Sequence, residues 1–162
     1  RIILDKILKR SEKIAFCKVG ETYRRMRGFT DFSMSKNPTE YSRKYVDEES
    51  ERNDVVGYNP TISFAFDRFS DDVVHADFVA IADKEAIGAD AVRSIVIVDL
   101  STLSEGAASA QQRDFSVIPD AEGNDSDTYT YSGSLKANGS VTSGTAQSSD
   151  GWQSITFTAA TE

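Results

Sequence analysis

An antiparallel β-sandwich or barrel of about seven or eight strands, with one flanking α-helix and a long loop, is the mainly β fold that three sequence features predict. Thr61-Ile62-Ser63-Phe64-Ala65-Phe66 alternates with period two, which places Ile62, Phe64 and Phe66 on one face of a strand. Ser70, Asp71 and Asp72 offer N-cap oxygens to the one clear amphipathic helix, whose Val74, Phe78 and Ile81 share a face and whose end is expected near Gly88. Residues 121–150 contain 15 Gly, Ser or Thr in 30 positions, the composition of short strands between tight turns. The chain has 162 residues, 39% hydrophobic and 27% charged, and reads as one globular domain over 1–162.

The elements follow in order. Residues 1–12 form a short amphipathic helix or arm, because Ile3, Leu4, Ile7 and Leu8 recur at helical spacing opposite Lys6, Lys9 and Arg10. So short a helix is unstable alone and must dock on something. Ile14 and Phe16, then residues 29–34, have strand composition, punctuated by Gly20 and Gly28. Residues 36–58 are polar, carry Tyr41, Tyr45 and Tyr58 among charges of both signs, and lie between Asn37-Pro38 and Asn59-Pro60. They read as a long loop or an extended hairpin, and a loop of that length is characteristically committed to binding.

Beyond the Ile62 strand and the helix, residues 94–100 are apolar on both faces, so the strand there must be covered on each side. Residues 103–112 are small and polar, and 114–118 resume as a strand that Pro119 should stop. Asn138-Gly139 is a type I′ hairpin signal, expected to join a strand at 129–137 to a weaker one at 141–146. Residues 152–158 close the chain as a strand.

The rare residues exclude most chemistry. A single cysteine, Cys17, makes no internal disulfide, and a single histidine, His75, supports neither a His-rich metal site nor a triad with a nearby nucleophile motif. Both read as buried structural residues, His75 with satisfied nitrogens or at the surface. The ten glycines form no phosphate-cradling loop, and the acidic run 120–127 has its glycine in the wrong place for an EF-hand. No enzyme activity, cofactor or metal is therefore expected. No apolar run is long enough to span a membrane, and the N-terminal residues lack a signal-peptide core. The net charge of −8 is unevenly held: residues 1–60 carry 13 Lys/Arg and 10 Asp/Glu, whereas 61–162 carry 5 and 16. An acidic chain of this kind does not hold nucleic acid by bulk attraction to phosphate.

Several stretches, in order, resemble the tail tube (major tail) proteins of tailed bacteriophages and of related phage-tail-like particles of Gram-positive bacteria. They are Arg10-Ser11-Glu12-Lys13-Ile14-Ala15-Phe16, Ser35-Lys36-Asn37-Pro38, Tyr41-Ser42-Arg43-Lys44-Tyr45-Val46-Asp47-Glu48 and Asp54-Val55-Val56-Gly57-Tyr58. Val74-His75, Ile87-Gly88-Ala89-Asp90-Ala91-Val92-Arg93, Arg113-Asp114-Phe115 and Tyr129-Thr130-Tyr131-Ser132-Gly133 complete the set. The match covers nearly the whole chain, and its specificity lies in order and coverage.

The resemblance implies a virion structural protein. Six copies close into a ring, and rings stack head to tail into a hollow tail tube that passes DNA and the tape-measure protein. Implied partners are further copies of the chain, the tape-measure protein, tail terminator and baseplate proteins, and a sheath protein if the tail contracts. The implied location is the virion tail, assembled in the bacterial host cytoplasm, without membrane contact. On that reading Ile3, Leu4, Ile7, Tyr41, Arg43, Lys44, Tyr45, Asp47, Glu48 and Arg52 are the candidate inter-subunit contacts. Asp114, Asp125 and Asp127 are candidate lumen acids that repel passing DNA. A carbohydrate-binding or adhesion β-sandwich, with Tyr129, Tyr131 and Trp152 as a sugar platform, is the alternative.

Overall fold

The computed structural model describes residues 7–161. Ile3 and Leu4 of the predicted arm lie outside the described residues. From Ile7 onward the arm holds only a 3-10 turn at Arg10–Glu12, and the amphipathic helix expected there is not present among the described residues. The strands are β1 (Lys13–Val19), β2 (Thr22–Arg25), β3 (Phe29–Ser35), β4 (Pro38–Arg43), β5 (Arg52–Tyr58) and β6 (Thr61–Asp67). Helix α1 (Val73–Lys84) precedes β7 (Val92–Ser104), β8 (Ala107–Glu122), β9 (Thr130–Ala137), β10 (Thr142–Gln147) and β11 (Ser154–Ala159). The mainly β, antiparallel architecture with one helix is the predicted one. Eleven strands among the described residues replace the expected seven or eight because β2, β4 and β5 are too polar to show an apolar period, as is the first half of β8, which lengthens that strand.

Six strands close an antiparallel barrel in the order β8, β7, β1, β2, β11, β10, with β10 returning to β8. The second half of β8 carries a further antiparallel sheet, β8, β9, β6, β3. Closure removes the edges of the six strands within the barrel, and the second sheet is left with two open edges, β3 and the part of β8 beyond Ser116.

Two sequence expectations fail at β8, for one reason. Pro119 does not stop the strand, which runs on to Glu122. Pairing with β7 ends at Val92↔Ser116, so Pro119 sits where β8 has a neighbour on one side only, beside a register shift against β9. A proline costs no ladder bond at such a position. Asn138-Gly139 does not make a hairpin either, for β9 and β10 never pair with each other. They lie end to end along the same side of β8, β9 beside residues 115–122 and β10 beside residues 107–112. Asn138 donates its backbone N–H to the Asp114 carbonyl at 2.8 Å and its side-chain amide to Ser116 Oγ at 3.1 Å, which holds the chain straight through the break. There the second sheet parts from the barrel.

The β7–β8 ribbon, apolar on both faces, accordingly serves two cores. Val96, Val98, Ala108 and Ala110 face the barrel interior with Ile14, Phe16, Ala146 and Ile155. Ile95, Phe115 and Val117 face a second core with Cys17, Ile62, Phe64, Phe66 and Leu135, capped by Val74, Phe78 and Ile81 of α1. Alanines suit a barrel only six strands wide, where opposite walls stand close. The helix side is filled by aromatic rings, with Phe66 within 6.2 Å of Phe29, Phe64, Phe78 and Tyr131, ring centre to ring centre.

Helix α1 starts where the sequence predicts. Asp72 Oδ1 accepts the N–H groups of Val74 (2.9 Å) and His75 (3.0 Å). It ends at Lys84, short of the expected end near Gly88, because Glu85 takes a left-handed conformation (φ 50°) and closes the last turn onto Ala82 and Ile81.

Candidate assembly surface

The segment 36–58 is a hairpin, the second of its two sequence readings. Its register continues that of the β3–β6 pair: Met34↔Ile62 and Ser35↔Thr61 in the sheet are followed by Pro38↔Tyr58 and Thr39↔Gly57 in the hairpin. One ribbon therefore runs from the aromatic core out into solvent, broken only at residues 36–37 and 59–60. At the break Asn37 takes a left-handed conformation (φ 47°) that asparagine tolerates. Its amide donates to the Asn59 carbonyl (3.1 Å) and to Thr61 Oγ1 (3.2 Å), while Asn59 N–H reaches the Lys36 carbonyl (3.2 Å). Pro60 beside it is fully buried. The hairpin is thus anchored at its root, and six to seven residues per strand carry it about 20 Å beyond the sheet.

Beyond the root it has no core. Every β4 residue is exposed, as is every β5 residue except Gly57. Val46 at the tip is wholly exposed, with Val55 at 52%, Val56 at 64% and Tyr58 at 61%. Val55 and Val56 point to opposite faces, so both faces of the ribbon are partly apolar. Arg43 and Arg52 stand directly opposite each other, an unfavourable like-charge pair. Each is diverted onto a ring: Arg43 lies 5.1 Å from the Tyr41 ring centre and hydrogen-bonds the Tyr41 hydroxyl, and Arg52 lies 5.6 Å from the Tyr45 ring centre. Arg52 also pairs with Glu48 at 2.6 Å. Lys44 and Asp47 are exposed at the tip. The structure therefore gathers all seven predicted hairpin residues on one projection, while Ile7 is separately exposed at the start of the described chain. Val46, Val55 and Val56 are absent from the predicted contacts because a lone valine and one adjacent pair in a polar segment show neither a strand nor a helix period.

The candidate lumen acids do not form a cluster. Asp114 is exposed on β8 beside Gln112, whose amide donates to Asp114 Oδ1 at 3.0 Å. Asp125 and Asp127 lie in the turn past the end of β8, eight residues from Asp114 to Glu122, or up to roughly 27 Å of strand. Asp125 Oδ1 accepts the Asp127 N–H at 2.8 Å and so shapes that turn. The three aromatics of the alternative reading are also divided: Tyr131 stacks on Phe66 in the helix-side core, whereas Trp152 packs against the barrel core.

Sequence reasoning missed the polar knot that ties the second sheet to α1. Arg27 Nε donates to Asp72 Oδ2 at 2.7 Å, and His75, wholly buried, uses both ring nitrogens. Its Nδ1 accepts the Phe69 N–H (3.0 Å), which leaves Nε2–H to donate to the Arg27 carbonyl (2.6 Å). Burial pushes the His75 pKa below its ordinary value, opposed by the Arg27 carbonyl and the Asp72 carboxylate. Burial raises the Asp72 pKa, yet the bonds from Arg27, His75 and Val74 outweigh it and hold the carboxyl below the usual range. Burial likewise pushes the Cys17 thiol far up and leaves it protonated. On the far side of α1, Arg93 grips Asp77 through two bonds, 2.6 and 3.1 Å.

No protein family and no curated protein matches the chain. Among solved structures, a chain of the six-fold symmetrised cryo-EM structure of the anti-feeding prophage (AFP) baseplate is similar at 8% identity and a TM-score of 0.49. That match spans 86% of this chain and 97% of that one. A likeness at that identity and score carries no functional argument. No helix among the described residues is long and apolar enough to cross a membrane.

Proposed function

We propose that the chain is a structural, non-catalytic protein of a phage tail or phage-tail-like particle, and specifically the subunit of its tail tube. Six copies close into a ring, and rings stack head to tail, a heterologous contact that propagates into a filament. The observation that carries this reading is the β4–β5 hairpin. A two-stranded ribbon with no buried side is marginal alone, yet this one is anchored in the core and offers valines and tyrosines on both faces. Such a surface is explained by a neighbour that covers it. The ordered sequence resemblance to tail tube proteins supports the same reading and supplies the ring of six.

In the tube the subunits line a channel for DNA and the tape-measure protein. Terminator and baseplate proteins cap its ends, and a sheath protein surrounds it where the tail contracts. The place of the chain is the virion tail, assembled in the bacterial host cytoplasm. The acidic residues of 61–162 keep DNA a passenger, because carboxylates repeated six times around a lumen repel phosphate and offer no counterion-releasing contacts. Negative-stain electron microscopy of the purified protein tests the reading. Rings or hollow filaments are expected, and a strictly monomeric protein at concentrations up to the millimolar range contradicts it.

A further inference from the structure

We propose that the tip of the β4–β5 hairpin docks, in a second copy of the chain, into a basic groove between β1 and the start of β3. The inference rests on the reading above, in which another copy covers the hairpin, and it names the surface that receives the tip. The groove has a volume of about 540 Å3 and lies at the end of β3 opposite the hairpin. It is lined by the half-buried rings of Phe29 and Phe32, edge to face at 6.0 Å, and by Met26, with Arg10, Lys13 and Arg25 around them. Arg10 bridges the gap. Its guanidinium donates to the Lys13 carbonyl at 2.7 Å and to the Phe32 carbonyl at 3.0 Å. Among the described residues none of these three cations takes part in an ion pair, although Lys13 stands opposite Asp99 across the β1–β7 pair. Arg27, also in the groove, is already held by Asp72 and Asp71.

The occupant is argued from charge, shape and reach. Residues 44–51 at the tip carry Asp47, Glu48, Glu49 and Glu51 against Lys44 alone. Arg52 takes up Glu48, which leaves Asp47, Glu49 and Glu51 exposed and without an ion pair among the described residues. Val46 stands beside them, wholly exposed. An apolar knob among carboxylates matches apolar rings among cations, and covering the rings removes water that would otherwise weaken the charge pairs. The chain's own tip does not reach. Thr30 in the groove and Arg43 below the tip are thirteen residues apart along the ribbon that joins β3 to the hairpin, roughly 40 Å at 3.3 Å per residue, and no tip residue lines the groove. With the acidic tip at one end of that ribbon and the basic groove at the other, each copy both inserts and receives, and such a contact repeats head to tail.

The test mixes two full-length variants, Val46→Cys and Thr30→Cys, under mild oxidation and identifies the disulfides by gel electrophoresis and mass spectrometry. Cys17 is fully buried and does not compete. Mixed dimers joining position 46 to position 30 are expected to form roughly tenfold faster than either like dimer, and more slowly in high salt. Adding Arg10→Glu and Arg25→Glu to the Thr30→Cys chain is expected to slow the mixed dimer roughly tenfold, and adding Glu49→Lys and Glu51→Lys to the Val46→Cys chain is expected to restore it. Arg25→Glu alone serves where losing the Arg10 bonds unfolds the groove variant. A mixed dimer no faster than the like dimers overturns the proposal, as does a slowed groove variant that the reversed tip fails to rescue while circular dichroism shows both chains folded. Rings or filaments in the electron microscope without the mixed disulfide defeat this contact and leave the tail-tube reading standing. The mixed disulfide without rings or filaments defeats that reading and leaves the contact standing.

Discussion

The β7–β8 ribbon and the β4–β5 ribbon are both long antiparallel pairs that leave a common body, and they meet opposite fates. The first is covered on both faces, by the barrel interior and by the aromatic core under α1. The second continues the register of β3 and β6 past Pro60 and is covered on neither. Pairing geometry is the same in the two, so what separates them is where their apolar side chains find partners. One ribbon stabilises the fold, and the other leaves its valines and tyrosines exposed.

The widest contrast is expected from ring deletions. Phe66→Ala removes a wholly buried ring from the helix-side core and should cost about 3–5 kcal/mol, read by urea unfolding. Tyr41→Ala, at a position 45% exposed, should change unfolding by less than about 0.5 kcal/mol while abolishing assembly. Comparable losses of stability in the two variants would erase the distinction.

A second contrast uses glycines. Gly144 lies on β10, the strand that closes the barrel, where a Cβ would run into the Thr158 carbonyl and the Phe157 ring. Gly144→Val should cost about 1–3 kcal/mol through overpacking. Gly57 on β5 has nothing within 4 Å of an added Cβ, and Gly57→Val should stay within about 0.5 kcal/mol of the parent. Thermal melts of the two variants make the comparison.

Acid should act on the body before the hairpin. The folded-state pKa of His75 lies below the ordinary 6.5, so folding favours neutral imidazole and the unfolded chain binds the proton more tightly. The stability this contributes is present above pH 6.5 and is lost as pH falls below it, at no more than about 1.4 kcal/mol per pH unit. Asp72, also held low, adds a second loss once pH drops below 3.8. Denaturant titrations between pH 7.5 and 4.5 should show the first loss in the parent and a flatter profile in His75→Gln. The smallest effect belongs to Arg52→Ala, which breaks a half-exposed pair with Glu48 and should shift stability by less than about 0.5 kcal/mol.

How much of this was legible in the sequence follows the same division. Ile62, Phe64 and Phe66, with the Asp72 cap and the helix face Val74, Phe78 and Ile81, declared themselves because local period and tertiary burial agree. The two-faced β7 was equally readable, since Ile95 to Val98 leave no polar side to expose. Pro119 and Asn138-Gly139 misled because their meaning depends on neighbours remote in sequence: where β7 stops, and which strand lies alongside. The barrel's alanines gave no apolar period, and the Arg27, Asp72 and His75 knot joins residues 45 and 48 positions apart. The hairpin was placed by the polar composition and flanking prolines of 36–58, but its register with the core was visible only in three dimensions.

The central claim is that the β4–β5 hairpin exists to be covered by another subunit. Trypsin cleavage at Arg43, Lys44 and Arg52, followed by mass spectrometry on free subunit and on assembled particles side by side, tests it most directly. Rapid cutting of the free hairpin and cutting slower by roughly an order of magnitude or more after assembly, with the body intact in both, is the predicted result. Equal rates in the two states would contradict it.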